Sequence, residues 1–406
     1  MTRAHREMVR DRRVVGPMGL ADPVATADRA HDGVAAPVGL RDGFHALPWN
    51  RLDLATLQPY WQRLADCAST PNPFFEPWYL RPALEAFDPG GSVMLLLLVA
   101  DAKLVGLVPH HQANSYHARS IPNCAIWMHH NAFLGSPLVG AGHEADFWSN
   151  YLAWCDRTGA RMLFLHLPQQ PKYGELAAAL DKVCKDQQRS LRTVMEQRRA
   201  LLSSDLTAAR YREEALTAKK RKELRRQYKR LGELGALELV RSRDGAQVDR
   251  WIADFLALEA RGWKGNESSA LSSNPETEHL FRSAIESAAQ MGRLERLSLT
   301  LEGRPIAMLA TFLAGRGAFS FKTAYDEDLA RFSPGVQLQL ANLDLLDDPA
   351  IDWCDSCAAQ DHAMIDHIWR ERREIVWQSV AIGRGPRRWV GEAWMKLEEW
   401  RWSRRK

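Results

Sequence analysis

Apolar and polar positions recur along this chain with two different periods, and the period predicts the element. Apolar residues return every three or four positions through 54–68, around Trp61 and Leu64, which predicts an amphipathic helix. The Pro-punctuated run 70–78 reads as a loop leading into a helix over 79–87. Two apolar runs, 92–101 and 103–110, flank a short Asp-Ala-Lys turn and predict a hairpin. A helix over 144–158, a strand over 161–167 and a helix over 175–186 follow. Before residue 46 there is no period at all, only Arg, Asp, Ala, Gly and Pro, so residues 1–45 are expected to be a disordered leader.

A second series starts after residue 235. It predicts a strand over 236–241, helices over 247–262 and 276–292, and a hairpin of 294–301 with 306–313. A strand over 318–325 comes next, then a helix opening at 333–335. A short strand at 351–354, a helix over 364–370 and a strand over 374–381 close the series. This order repeats the outline of the first series and suggests two related modules, 46–200 and 236–385. Between them, 205–235 reads as a connector built on one basic helix over 208–232. At the end, 386–406 reads as a Trp-rich basic helix docked through Val390, Trp394 and Leu397. The fold class expected is α/β (α+β), with mixed, mostly antiparallel sheets flanked by helices.

Composition narrows the class without naming a chemistry. The 406 residues are 46% hydrophobic and 26% charged, as in a globular chain with a sizeable core. A net charge of +4 does not demand a polyanionic partner. Six scattered cysteines suit a reducing cytoplasm, no secretory signal pattern is visible, and no transmembrane segment is expected. The connector stands apart. Lys219, Lys220, Arg221, Lys222, Arg225, Arg226, Lys229 and Arg230 cluster there, either as a solvated helix face or as a phosphate contact to nucleic acid or a nucleotide-bearing cofactor.

The stretch 317–340 carries the strongest candidate site. A strand, an acidic connection and Ser333-Pro334-Gly335 at a helix start leave backbone amides and the positive helix end facing one point, which suits an anion. Ser333 is expected as the N-cap and Pro334 as the first helical residue. Arg331 adds a charge beside them.

The blocks Leu258-Glu259-Ala260-Arg261-Gly262-Trp263-Lys264-Gly265, Gly303-Arg304-Pro305-Ile306-Ala307, Phe321-Lys322-Thr323-Ala324-Tyr325-Asp326 and Arg331-Phe332-Ser333-Pro334-Gly335-Val336 resemble the GNAT superfamily. They are similar above all to an acyltransferase domain associated with bacterial cellulose and exopolysaccharide biosynthesis. That domain is related to Fem-type aminoacyltransferases, which carry two GNAT-like modules. The resemblance spans roughly 205–385. It implies two tandem GNAT-like modules and transfer from an acyl-CoA, acetyl-CoA first, to a small-molecule or saccharide amine or hydroxyl. It places the CoA pyrophosphate on Arg331, Ser333, Gly335, Val336 and Gln337. The superfamily loop usually carries further glycines; here Gly335 stands almost alone and Pro334 has no N–H to give.

Acyl transfer needs a base for the acceptor, donors for the oxyanion and an acid for the departing thiolate. Tyr325 is the candidate acid. Asp352 and Asp355 flank the end of the next strand and are candidate bases, and His362 is the nearest substitute for the tyrosine acid that GNATs often place after that strand. Glu259, Trp263, Lys264 and Lys322 are candidates to shape the acceptor pocket, with Lys322 and Tyr325 expected on opposite strand faces. Cys354, Cys357, His362 and His367 have zinc-knuckle spacing, but they fall on a predicted strand and helix, and no metal is expected. The clustered His110, His111, His117, His129 and His130 match no ligand spacing and read as polar loop histidines. Two other readings stay open: transfer from an aminoacyl-tRNA held by the basic helix, and a non-catalytic binding protein.

Overall fold

The computed structural model describes residues 39–117, 119–159, 161–262 and 270–404. The first half of the chain runs β1 (Gly43–Pro48), α1 (Leu54–Cys67), α2 (Pro77–Phe87), β2 (Met94–Ala100), β3 (Lys103–Ala113) and β4 (Asn123–Ile126). It continues with β5 (Leu138–Val139), α3 (Glu144–Thr158), β6 (Phe164–Pro171), α4 (Glu175–Asp186) and β7 (Leu191–Leu202). Helices α5 (Ala208–Ala215) and α6 (Ala218–Gly232) lead to the second half. That half contains β8 (Leu237–Ser242), α7 (Val248–Arg261), α8 (Pro275–Gln290), β9 (Leu294–Leu301), β10 (Arg304–Ala314) and β11 (Gly317–Tyr325). It ends with α9 (Pro334–Asn342), β12 (Trp353–Asp355), β13 (Glu371–Ala381) and α10 (Pro386–Ser403).

Among the described residues thirteen strands form one mixed sheet, in the order β1-β2-β3-β4-β6-β13-β7-β12-β11-β10-β9-β8, with β5 beside β3. The two halves enter it as mirror sequences of pairings. Strands β1 to β4 are antiparallel and β4 meets β6 in parallel; β8 to β11 are antiparallel and β11 meets β12 in parallel. The closing strand of each half is exchanged. β13 pairs with β6, β7 pairs with β12, and β7 and β13 pair with each other at the centre. The fold is therefore the mixed α/β arrangement expected, a largely antiparallel sheet flanked by helices.

The halves are also joined across one face. Helix α2 packs along α8. Beneath them the ring of Trp78 lies 4.9 Å from Phe312, and Phe312 lies 4.5 Å from Phe321. Each of these rings is buried. Aromatic pairs at such spacings add about 0.5–1.5 kcal/mol beyond the area they bury.

Several expectations change. His110 and His111, read as loop histidines, lie on β3, and His110 is buried with Nδ1 2.8 Å from the Tyr151 hydroxyl. The sheet begins at Gly43, inside the stretch read as leader, because β1 lies along β2 from Gly43↔Val99 to Pro48↔Met94. The basic helix is two helices. Buried Leu216 takes an extended conformation, and the hydroxyl of Thr217 then accepts from the Lys220 amide as a new N-cap. Residues 364–370 form turns, not a helix, and the last strand starts at Glu371. Strand β7 was not expected at all. Charged side chains on it find partners across the sheet, as where Lys172 bridges Glu196 on β7 and Glu374 on β13. No helix among the described residues is long and apolar enough to cross a membrane.

Candidate active site

The site grows from an irregularity in β11. This strand pairs with β10 along its length, but with β12 only over Gly317, Ala318 and Phe319. Past that point the two strands part. The β10 register slips between Ala310↔Lys322 and Thr311↔Ser320, so Phe321 is an extra residue, a bulge at the point of divergence. The bulge turns Lys322 to the same face as Phe321. Its ammonium lies 5.3 Å from the centroid of Phe133 and 5.6 Å from that of Phe321. Tyr325 packs on the other face with Leu329 and Phe332, so the two side chains do diverge as the spacing requires. Burial raises the Tyr325 phenol above its ordinary pKa, and nearby Glu327 adds to this.

Helix α9 starts beside the end of that strand. Ser333 occupies the N-cap but takes a left-handed conformation, φ 54°, and its hydroxyl caps nothing. The first helical bond runs from the Gln337 amide to the Ser333 carbonyl at 3.0 Å. Gln337 therefore offers no amide to a phosphate, and its side chain donates instead to the Leu224 carbonyl on α6 at 2.8 Å. Pro334 has no N–H. The amides that precede the first helical bond belong to Gly335 and Val336. Arg331 is exposed, with its guanidinium 4.7 Å from the Phe332 ring. Gly335 is closely covered: a Cβ there would lie 2.8 Å from Met364 Sδ and 3.2 Å from the Tyr325 ring. The loop between β12 and β13 thus reaches back to Gly335, and it carries His362, whose carbonyl accepts from the Ile365 and Asp366 amides.

Asp355 is placed for a different job from the one its position in the sequence suggested. It is fully buried and bound to Arg199 at 2.7 Å and Arg373 at 2.8 Å, while the Cys357 amide donates to its other oxygen at 2.9 Å. Burial pushes its carboxyl up, but the two guanidiniums and the amide outweigh burial and hold it below the usual carboxylate range. It is a counter-ion shared by β7 and β13, with both oxygens hydrogen-bonded. Glu259 is buried at the end of α7 and accepts from the Leu271 amide at 2.8 Å, tying α7 to the start of the next segment. Trp263 and Lys264 lie outside the described residues. Cys354 and Cys357 are buried, with thiols raised by burial. The described residues contain no group of three or more His, Cys, Asp or Glu arranged to hold a metal ion.

Sequence reasoning missed Arg199, Arg373, Phe133 and Met364. Arg199 and Asp355 are 156 positions apart, and nothing in either local pattern pairs them. Gly335 was the available clue to Met364, since an isolated glycine at a helix start signals a close approach.

Residues 218–376 match the family model described as an acetyltransferase (GNAT) domain. No curated protein matches the sequence. Among solved structures, the chain is similar to a conserved protein of unknown function from Bacteroides thetaiotaomicron, at 11% identity and TM-score 0.53, over 81% of this chain and 98% of that one. It is similar to the C-terminal domain of a putative lysylphosphatidylglycerol synthetase from Agrobacterium fabrum, at 12% identity and TM-score 0.50, over 81% and 92%. It is also similar to FemX, at 8% identity and TM-score 0.50, over 80% and 96%. At these identities the likeness is one of fold.

Proposed function

We propose that the second half of the chain is an acyltransferase that moves an acyl group from acyl-CoA, acetyl-CoA first, to an amine or hydroxyl of a saccharide or cell-envelope precursor. The observation that carries this reading is the parting of β11 and β12 beside the α9 N-terminus. A bulged strand that loses its neighbour leaves backbone groups for an extended thioester arm, and the amides of Gly335 and Val336 stand at its phosphate end. The matched acetyltransferase domain covers all of these elements.

In this reading Arg331 and the two amides hold the pyrophosphate. Tyr325, kept protonated by its raised pKa, donates to the departing thiolate. His362 takes the acceptor proton. Lys322, on the opposite face of β11, shapes the acceptor side with Phe133. Glu259 holds the Leu271 amide at the end of α7, and Asp355 acts only through the arginines it orients.

The test is thiol release from acetyl-CoA with a panel of amino sugars and small amines, followed by dye titration of free CoA. The expected result is acceptor-dependent release, reduced about 10²–10⁴-fold in Tyr325→Phe. Absence of release with every acceptor, together with no calorimetric binding of acetyl-CoA, rejects the reading.

A further inference from the structure

A concavity shares α9 with the transfer reading but is otherwise lined by elements that reading does not use. A cavity of about 790 Å³ opens between α5, α6, α9 and β8. Its floor is apolar, formed by Leu216, Leu224 and Leu340, all buried. At its mouth Leu239 is 45% exposed and Tyr228 is 40% exposed, so the apolar lining continues into solvent. One wall is cationic. Arg221, Arg225 and Lys229 stand at successive fourth positions on α6, a ladder of about 12 Å along the helix.

The charges on this wall differ in how they are used. Arg221 donates to the carbonyls of Glu213 and Leu216 and so closes the end of α5. Arg212 donates to the Leu340 carbonyl at 3.0 Å, leaving its water-shielded Nε without an acceptor. Arg225 and Lys229 are exposed, and among the described residues neither side chain has an acidic partner. The two carboxylates in the lining are engaged elsewhere, Glu213 with Arg210 at 3.1 Å and Asp344 with Arg241 at 3.5 Å. An anion at the wall would meet cations whose charge is uncompensated, next to hydrocarbon.

We infer that this groove binds a lipid phosphate: an apolar chain on Leu224, Leu340 and Leu239, with its phosphate or pyrophosphate on Arg225 and Lys229. A groove of this volume with a mainly apolar lining and a few convergent charges is the usual form of a small-molecule site. The lining also argues for hydrocarbon over an amide-bearing arm. Its neutral polar side chains are Tyr228 and Gln337, and the Gln337 amide is already bound to the Leu224 carbonyl. An arm rich in amides would leave its own donors and acceptors unpaired on that floor.

The experiment is calorimetry on the full chain with farnesyl pyrophosphate, inorganic pyrophosphate and CoA as probes. Farnesyl pyrophosphate is expected to bind saturably, at least about tenfold more tightly than inorganic pyrophosphate, a gap of about 1.4 kcal/mol. The double variant Arg225→Ala/Lys229→Ala changes exposed positions and is expected to fold. It should weaken farnesyl pyrophosphate about tenfold or more and flatten its salt dependence. Leu239→Ser should weaken the lipid probe and leave inorganic pyrophosphate unchanged. Farnesyl pyrophosphate binding that is absent, or unaffected in both variants, overturns the inference. Tighter binding of CoA than of the lipid probe, lost in the double variant, also overturns it by giving the groove to a nucleotide. No acyl donor enters the measurement, so its failure and that of the transfer reading are separate results.

Discussion

At the scale of single residues, the decisive side chain is Asp355. A carboxylate sealed between two guanidiniums is a structural ion triad, and removing its centre leaves the buried Arg199 and the half-buried Arg373 without their counter-ion. Asp355→Ala is therefore expected to destabilise the protein by about 3–5 kcal/mol, read as a shift of the urea midpoint. The pH dependence has a definite sign. The folded carboxyl lies below its unfolded value of about 3.9, so the triad's contribution is complete above that pH and is lost as pH falls through the folded value. The wild type should lose stability more steeply than Asp355→Asn below about pH 4. Parallel acid limbs for the two proteins would remove the triad from the stability of the fold. The sequence presented Asp355 as a candidate base because a carboxylate after a strand end is where such a base would sit. What it could not present was the company of Arg199 and Arg373, which is set by strand exchange.

At the scale of elements, local pattern was read well where one face of an element meets the core. Helices α3 and α4 fall at the residues their apolar periods predicted, as does the hairpin of β2 and β3 within a few positions. The pattern failed where partners are polar or distant. β7 carries Glu196, Gln197, Arg198 and Arg199 in succession, which reads as loop until the opposing charges of Lys172 and Glu374 are in place. The candidate site was legible as strand, turn and helix, but not the packing of Met364 onto Gly335. That contact is testable. Alanine at 335 gains up to about 1 kcal/mol of helix propensity, but overpacking costs about 1–3 kcal/mol. Gly335→Ala is expected to be destabilising in the wild type and less so in a Met364→Ala background, where the 2.8 Å approach to sulfur is relieved and only the 3.2 Å approach to the Tyr325 ring remains. A double-mutant cycle by chemical denaturation should give a coupling of about 0.5–3 kcal/mol. Equal cost in both backgrounds would mean the contact does not constrain the loop.

At the scale of the whole molecule, the repeat seen in the sequence does not describe two bodies that merely abut. Each half donates its last strand across the centre, so β6 has its outer neighbour only in β13, and β12 meets β7 through just Cys354↔Leu202 and Asp355↔Leu201. Cutting the chain in the connector breaks both exchanges. A fragment of 39–205 would leave the edge of β6 open and β7 without either of its partners. A fragment of 206–404 would leave β13 without any strand beside it. Exposed, unpaired strands of this length favour aggregation. The rings of Phe312 and Phe321 would lose Trp78 and Tyr79 as well. Neither fragment is expected to show a cooperative denaturation curve, whereas the intact chain should unfold with tryptophan fluorescence and far-UV circular dichroism changing together. A cooperative transition in either half alone would show that the central exchange is dispensable. Under the transfer reading, the same exchange explains why a site assembled on β11 and α9 depends on Phe133 and Arg199 from the other half. The first half positions the candidate site through the strand it contributes.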